Sequence, residues 1–254
     1  MERADRAPVS TFYAPGAWGH VVELDEGAAH HASVKRLALG DPVRLTSGNG
    51  RRVRAVITEL AKRRLAVSIA GDEVEEIPAL PHVELWAPVG DRDRTLWLAE
   101  KATELGVSAW RPVIYRRSRS VSPRGEGDAF REKVRARMIA ALEQSGGGWL
   151  PEILPDTALD RATSEARVET GLLLDAGGNP IQRMLSRLMS HDSRVTSDSR
   201  LTLALGPEGG LDDDERDELL AVGWRRASLG PNVLRFETAG IAGLTLARAL
   251  LRST

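Results

Sequence analysis

Two stretches of this chain share a tripeptide and lie close together. Leu203–Gly210 reads LALGPEGG and Ser228–Gly240 reads SLGPNVLRFETAG, so Leu-Gly-Pro occurs at Leu205-Gly206-Pro207 and again at Leu229-Gly230-Pro231. A third glycine-rich piece, Asp175-Ala176-Gly177-Gly178, ends the apolar run that starts at Gly171. Glycine lets a backbone approach a ligand closely and tolerates positive φ. Proline after glycine stiffens the turn. Together such turns make a preformed pocket of backbone N–H and C=O groups, suited to a flat heterocycle such as a nucleoside. Taken singly, Gly-Pro turns are common between strands and helices. Three in succession point to a site, because functional residues concentrate on loops held by a rigid scaffold.

Arg235 and Glu237 follow the second Leu-Gly-Pro, just before or at the start of an apolar helix. Glu237 suits the positive end of that helix, and Thr238 is a capping candidate. Arg235 has apolar neighbours and no comparable structural reason to be there. A fixed guanidinium at that point can hold a phosphate or a developing anion. Gly240, Ala242 and Gly243 allow close backbone packing of the helix, inside the fold or across a dimer.

Several other chemistries are excluded. The chain has no G-x-G-x-x-G, no G-x-x-x-x-G-K-[ST] and no G-x-S-x-G. His20, His30, His31, His82 and His191 show no metal-ligand spacing, and His30-His31 reads as a surface or RNA-facing pair. There is no cysteine, which removes disulfides, thiolate chemistry and Cys-based zinc sites and suits a cytoplasmic protein. No metal is expected. No apolar run approaches the roughly 18 residues of a membrane span. The opening MERADRAPVS lacks the apolar core of a secretion signal.

The 254 residues carry 35 Lys and Arg against 36 Asp and Glu, but unevenly. Arg111 to Arg124 holds five arginines and no acid, and Arg51 to Arg64 holds six bases and one acid, Glu59. Glu208 to Glu218 holds seven acids and one base, Arg216. Phosphates respond to the local field, so a near-neutral protein with basic patches can bind a polyanion. Any single run can equally be a solvated face. The candidate RNA contacts are Arg36, Arg51, Arg52, Arg54, Arg116, Arg117, Arg119 and Arg124, the last four expected on a flexible basic loop after a strand.

The elements that position these residues fall into two textures. Residues 1–72 alternate short apolar segments (HVVEL, DPVRLTS, RVRAVITEL, RLAVSIA) with turns, which predicts a small β-barrel or sandwich with one helix around His30 to Leu39. Ser47-Gly48-Asn49-Gly50 is a hairpin signal. The acidic, proline-containing GDEVEEIPALP reads as a linker, assigned to 73–81. Residues 82–254 then alternate strand and helix. Strands are expected at 82–89, 109–115, 171–176, 201–205 and 225–229. Helices are expected at 92–105, 128–144, 181–189, 212–222 and 237–251, and a mobile loop at 190–200. Such alternation predicts an α/β domain with a parallel sheet, whose ligands bind beyond the carboxyl ends of its strands.

GPEGG followed by LGPNVLRFETAG resembles the SPOUT methyltransferases, and among them the family of ribosomal RNA small subunit methyltransferase E. KATELGV (101–107), EQSGGGWLPEI (143–153) and LLLDAGG (172–178) are similar to that family, and HHASVKRLALGDPVRLTSGNG (30–50) is similar to its N-terminal PUA-like RNA-binding domain. The resemblance spans nearly the whole chain. It implies a PUA-like β-barrel over 1–72 and a SPOUT α/β domain over 82–254, with a trefoil knot at about 171–254. It implies a homodimer through that domain, and S-adenosylmethionine-dependent methylation of N3 of a uridine in 16S rRNA of the small ribosomal subunit. The methyl donor would be held by Leu174 and Asp175, by Gly206, Pro207, Glu208, Gly209 and Gly210, and by Leu229, Gly230, Leu234, Thr238 and Ala239. Arg235 would stabilise charge on the base or an adjacent phosphate, and Glu237 is the nearest candidate base. Asn232 stands where the family often has arginine, and Phe236 where it often has threonine. A SPOUT enzyme acting on another RNA and a non-catalytic ribosome-assembly factor are the competing readings.

Overall fold

The period-two pattern of RVRAVITEL makes a strand with one face inward. A computed structural model of the chain describes residues 9–70, 74–118, 127–165, 168–190 and 200–251, apart from the side chains of 187–190. It forms two units. One ends at Pro78 and also takes Leu142–Leu150; the other comprises Ala79–Ala141 and the chain from Pro151.

The first unit contains β1 (Ser10–Tyr13), β2 (Val21–Leu24), α1 (Glu26–Val34), β3 (Pro42–Thr46), β4 (Arg51–Ala61), β5 (Arg64–Ile69) and β6 (Glu75–Glu76). The ladder runs β1-β3-β4-β5-β2 with β6 beside β4. β1 and β3 are parallel; the other pairs are antiparallel. Among the described residues no ladder joins β1 to β2, the two ends of the path. Along β4, Val53, Ala55 and Ile57 are buried while Arg54 points out. They pack with Phe12, Leu45, Leu65, Val67 and with Ala29 and Ala32 of α1.

Helix α1 starts four residues before the predicted His30–Leu39 and ends within it, at Val34. Asp25 starts it, its Oδ1 accepting from the Ala28 N–H at 2.9 Å. Arg36 ends it in the left-handed region at φ 56°, with the Leu37 N–H bonded to the Ala32 carbonyl at 3.0 Å. That conformation usually falls to glycine. The predicted linker is not free chain: Glu75 and Glu76 pair with Arg52 and Arg51 as β6, because the acids meet cations on β4.

The β3–β4 hairpin closes as expected, through Ser47 N–H to the Arg51 carbonyl at 2.9 Å. Its glycines have a second use that places 142–150 in this unit rather than with 82–254. The Gly50 N–H donates to the Gly148 carbonyl at 2.8 Å, and the Leu150 N–H to the Gly48 carbonyl at 2.9 Å. Thr46 Oγ1 donates to the Gly147 carbonyl at 2.9 Å, and Arg52 Nη1 to the Gly146 carbonyl at 2.6 Å. Glu143 accepts from the Tyr13 N–H at 2.8 Å.

The second unit contains β7 (His82–Pro88), α2 (Arg92–Glu104), β8 (Ala109–Ile114), a 3-10 turn at Arg116–Ser118, α3 (Asp128–Ser145, whose end belongs to the first unit), β9 (Glu152–Ile153), β10 (Thr157–Ala158), α4 (Leu159–Glu165), β11 (Thr170–Pro180), α5 (Ile181–Ser190), β12 (Arg200–Leu205), α6 (Asp213–Ala221), β13 (Arg225–Ser228) and α7 (Phe236–Leu251). The sheet runs β10-β8-β7-β12-β11-β13, with β9 beside β8. Every pair is parallel. The short β9, β10 and α4, like β1, escaped sequence reading because so few residues carry no period.

Runs such as GLLL and LTLAL are apolar at successive positions because both faces of these strands are covered. Leu173 and Ala204 pack with Leu159 and Ala162 of α4, Leu219 of α6 and Trp224. Their neighbours Leu174, Leu203 and Leu205 turn the other way, toward Gly240 and Gly243 of α7. A Cβ on Gly240 would lie 2.8 Å from Leu98 Cδ1, and one on Gly243 2.7 Å from Leu174 Cδ1. The small residues of α7 are therefore used inside the fold. Among the described residues no helix is long and apolar enough to cross a membrane.

Candidate functional site

Strands β12, β11 and β13 are parallel neighbours, so their carboxyl ends meet at one sheet edge. A cavity of about 630 Å³ opens there. Its walls are Leu174–Ala176 of β11, Leu205–Leu211 after β12, and Leu229, Gly230 and Asn232–Phe236 after β13. Arg94 of α2, Arg216 of α6 and Ala239 of α7 complete it. Of the predicted donor-binding residues, only Thr238 does not line the cavity. Helix α7 begins at Phe236, which makes Thr238 its third residue, exposed, rather than its cap.

The backbone of this edge depends on glycine at particular points. The Gly206 position is closed by Leu211, whose Cδ1 would lie 2.4 Å from an added Cβ. Gly210 sits at φ 73° and its N–H donates to the Pro207 carbonyl at 2.8 Å, which forms the GPEGG turn. The predicted loop at Asp175–Gly178 is a bulge within β11. The β11–β13 ladder breaks after Leu174 and resumes at Asn179 opposite Ala227. A Cβ on Gly178 would lie 2.5 Å from the Ala227 nitrogen, so that glycine serves strand packing. Gly177 and Gly178 line a separate hollow of about 670 Å³ with Trp224, Arg225 and Arg226.

Asp175 is saturated by the protein itself. Its Oδ1 accepts from the Gly177 N–H at 2.8 Å and Arg226 Nη2 at 2.9 Å, and its Oδ2 from Arg216 Nε at 3.2 Å. Burial pushes the carboxyl up, but Arg226, the Gly177 N–H and Arg216 together outweigh it and hold the group below its ordinary range.

Arg235 is exposed and lines the cavity. Glu237 does not line it. Its side chain is 9% exposed and its Oε1 lies 3.9 Å from Arg94 Nε, while its Oε2 has no hydrogen-bond partner. The candidate base is thus turned toward Arg94 behind the wall. Phe236 is buried, so its side chain completes packing at the head of α7. Arg94 also pairs with Glu208 of the GPEGG turn. Sequence reading missed Arg94, since nothing in the helical spacing of α2 links it to residues more than a hundred positions away.

The basic runs are largely answered by acids. Arg111 is buried against Glu84 at 2.7 Å and is no surface cation. Arg116 pairs with Asp214 at 2.8 Å and Asp212 at 3.5 Å, and its N–H donates to the buried Glu215 at 2.6 Å. Arg117 Nη1 donates to the Gly209 carbonyl at 2.5 Å. These two form a 3-10 turn against the acid-rich start of α6 instead of a flexible loop. Arg119 and Arg124, and residues 191–199 of the loop predicted at 190–200, lie outside the described residues; Ser190 ends α5 and Arg200 begins β12. On β4, Arg51 meets Glu76 at 3.6 Å and Arg52 meets Glu75 at 2.8 Å. Arg54, by contrast, stands opposite Arg44 across the ladder, and exposed Arg36 sits in its left-handed turn.

The RNA methyltransferase domain model matches residues 78–248, and the RNA methyltransferase PUA domain model matches 24–70. The chain is similar to ribosomal RNA small subunit methyltransferase E of Bacillus subtilis, at 25% identity over 87% of this chain and 86% of that one. It is also similar to the Synechocystis protein of the same name, at 28% identity over 91% and 74%. Among solved structures, ribosomal RNA small subunit methyltransferase E from Neisseria gonorrhoeae bound to S-adenosylmethionine superposes with a TM-score of 0.80 at 25% identity, over 96% of this chain and 98% of that one. The Legionella pneumophila protein Lpg2936, solved with the cofactor SAM, gives 0.78 at 28% identity over the same shares. With its parallel-sheet unit and the sheet unit ahead of it both matched, the chain belongs to the RNA methyltransferase family.

Proposed function

We propose that this chain is an S-adenosylmethionine-dependent methyltransferase that modifies N3 of a uridine in 16S rRNA of the small ribosomal subunit. The cavity at the edge of β12, β11 and β13 carries this reading. Its volume of about 630 Å³ suits a nucleoside-sized ligand. Bare backbone at Gly206, Gly209, Gly210 and Gly230 and apolar side chains at Leu174, Leu205, Leu229 and Leu234 fit an adenosine. When bound, S-adenosylmethionine supplies an electrophilic methyl group at its sulfonium.

The chain's task is to align the acceptor base and to make it nucleophilic. Uridine N3 carries a proton at neutral pH. Arg235, on the cavity wall, offers a fixed positive charge to the uridinate or to a neighbouring phosphate. Glu237 acts in this reading through Arg94 rather than as the proton acceptor, because it faces away from the cavity, and the N3 proton passes to solvent water. Arg36 and Arg54, exposed and outside the acid pairs of β4, are the leading RNA contacts of the first unit. Arg51 and Arg52 contribute from the same strand, Arg116 and Arg117 from the second unit.

A trefoil knot, a homodimer through the second unit and a cytoplasmic location complete the proposal. The knot rests on the resemblance to the SPOUT family.

Calorimetry with S-adenosylmethionine is the first test, followed by transfer of a labelled methyl group to 16S rRNA and to assembled small subunits, with mapping of the product. Saturable binding and a single N3-methylated uridine are expected. Binding with label on a different RNA or atom would refute the substrate, and no binding would refute the whole reading.

A further inference from the structure

The charged groups on the cavity wall are not equivalent. Asp175 has both oxygens occupied by Gly177, Arg226 and Arg216. Arg94 and Glu208 hold each other across the cavity wall, with side chains 31% and 48% exposed. An exposed pair of this kind contributes little stability by itself. Behind it stands Glu237, nearly buried, on the first turn of α7, with one oxygen 3.9 Å from Arg94 Nε and the other unpartnered. Three elements, α2, the GPEGG turn and α7, thus converge on one guanidinium.

We propose that Arg94 and Glu208 are the reader of the amino-acid end of the methyl donor. This rests on the donor reading given above. That end is a zwitterion, an α-carboxylate beside an α-ammonium. A cation and an anion that face each other on a ligand-sized cavity match it, by exchanging one internal ion pair for two with the ligand. Arg94 takes the carboxylate, for which its planar fork is suited. Glu208 takes the ammonium. Glu237 holds the guanidinium in place when Glu208 turns to the ligand, so that Arg94 is never left unpaired in a half-buried position. Arg235 is a poorer candidate because, among the described residues, no carboxylate is paired with it to meet the ammonium. Arg94 and Glu208 are specificity residues here, and Glu237 is a positioning residue.

The test compares three ligands by calorimetry on the full chain: S-adenosylmethionine, its decarboxylated analogue, which keeps the ammonium, and methylthioadenosine, which lacks the amino-acid end. In the wild type, the carboxylate is expected to improve affinity roughly 10- to 100-fold over the decarboxylated analogue. Arg94→Met abolishes that gap and leaves methylthioadenosine binding unchanged, which also shows that the cavity is intact. Glu208→Gln weakens S-adenosylmethionine and the decarboxylated analogue alike and spares methylthioadenosine. Arg94→Lys, which keeps the charge but not the fork, retains part of the gap. If Arg94→Met lowers affinity for all three ligands equally, or keeps the wild-type gap, Arg94 is only a structural tie and the inference fails while the proposed function stands. Wild-type protein that binds none of the three would overturn both.

Discussion

The two units use clustered glycine in opposite ways. In the first, Gly50 meets Gly148 and Gly48 meets Leu150 backbone to backbone, and the protein's own side chains fill the space a Cβ would take. The Trp149 ring would lie 2.4 Å from a Cβ on Gly50, and Ile77 2.9 Å from one on Gly148. In the second, Gly209, Gly210 and Gly230 border about 630 Å³ of open cavity, and a Cβ on Gly230 would meet nothing within 4 Å. The same residue type thus marks a splice in one place and a ligand wall in the other. Glycine density alone does not distinguish them; what fills the vacated volume does.

That contrast can be broken most severely at the cavity. Arg235→Ala is expected to lower methyl transfer roughly 100- to 1000-fold while the dissociation constant for S-adenosylmethionine stays near the wild-type value. Single-turnover transfer with calorimetry checks it, and transfer at the normal rate would remove Arg235 from the chemistry. At the splice, Gly50→Ala meets both φ 93° and the Trp149 ring. It should cost about 2–4 kcal/mol of stability in denaturant titration, partly restored by adding Trp149→Ala, with donor affinity of the folded protein unchanged. The complementary outcome is expected at Gly209→Val. Its Cβ would sit an ordinary 3.4 Å from Arg117, so stability changes by less than about 1 kcal/mol. Affinity for S-adenosylmethionine falls roughly tenfold, about 1.4 kcal/mol. An unchanged dissociation constant would deny that this glycine is a ligand wall.

Arg36 sharpens the comparison from the other side, as an arginine where glycine would be at ease. Arg36→Gly relieves the left-handed strain and should raise stability by about 0.5–1 kcal/mol while weakening rRNA binding, read by thermal melting and filter binding. The smallest effect concerns Asp175, whose carboxyl is held below its ordinary range by Arg226 and its other partners. A depressed carboxyl stabilises the fold at pH values above its unfolded pKa, and the contribution is lost as pH falls through the folded one. The melting advantage of the wild type over Asp175→Asn should therefore be present at neutral pH and shrink below about pH 4. An advantage that grows on acidification would contradict the ion-pair account.

Much of the architecture is legible in the order of residues alone. The apolar runs GLLL and LTLAL announce doubly covered strands, and the Gly-rich turns after β12 and β13 do converge on one cavity with Leu174–Ala176 of β11, while Gly177 and Gly178 face another hollow. Legibility fails where a residue's partner is remote. Glu237 reads as a base or helix-end anion because the sequence displays its neighbours and not Arg94. The basic run around Arg116 reads as a solvated loop because the acids that face it lie on α6, almost a hundred residues away. The GGG at 146–148 belongs by position to the second texture, and its hydrogen bonds to Thr46, Gly50 and Arg52 tie it to the first unit.

The sequence by itself determined the periodic elements, the stiff turns that end β12 and β13, the absence of thiol chemistry and a resemblance to an RNA methyltransferase family. These follow from local rules, since the period of apolar residues and the φ range of glycine and proline act within a few positions. Tertiary structure alone decided which charges are spent on one another, which glycines face a cavity and which face a tryptophan, and that Arg94 stands between Glu208 and Glu237. Those outcomes depend on distances through space between groups far apart in the chain, and electrostatic pairing and steric exclusion are set by those distances, not by sequence separation.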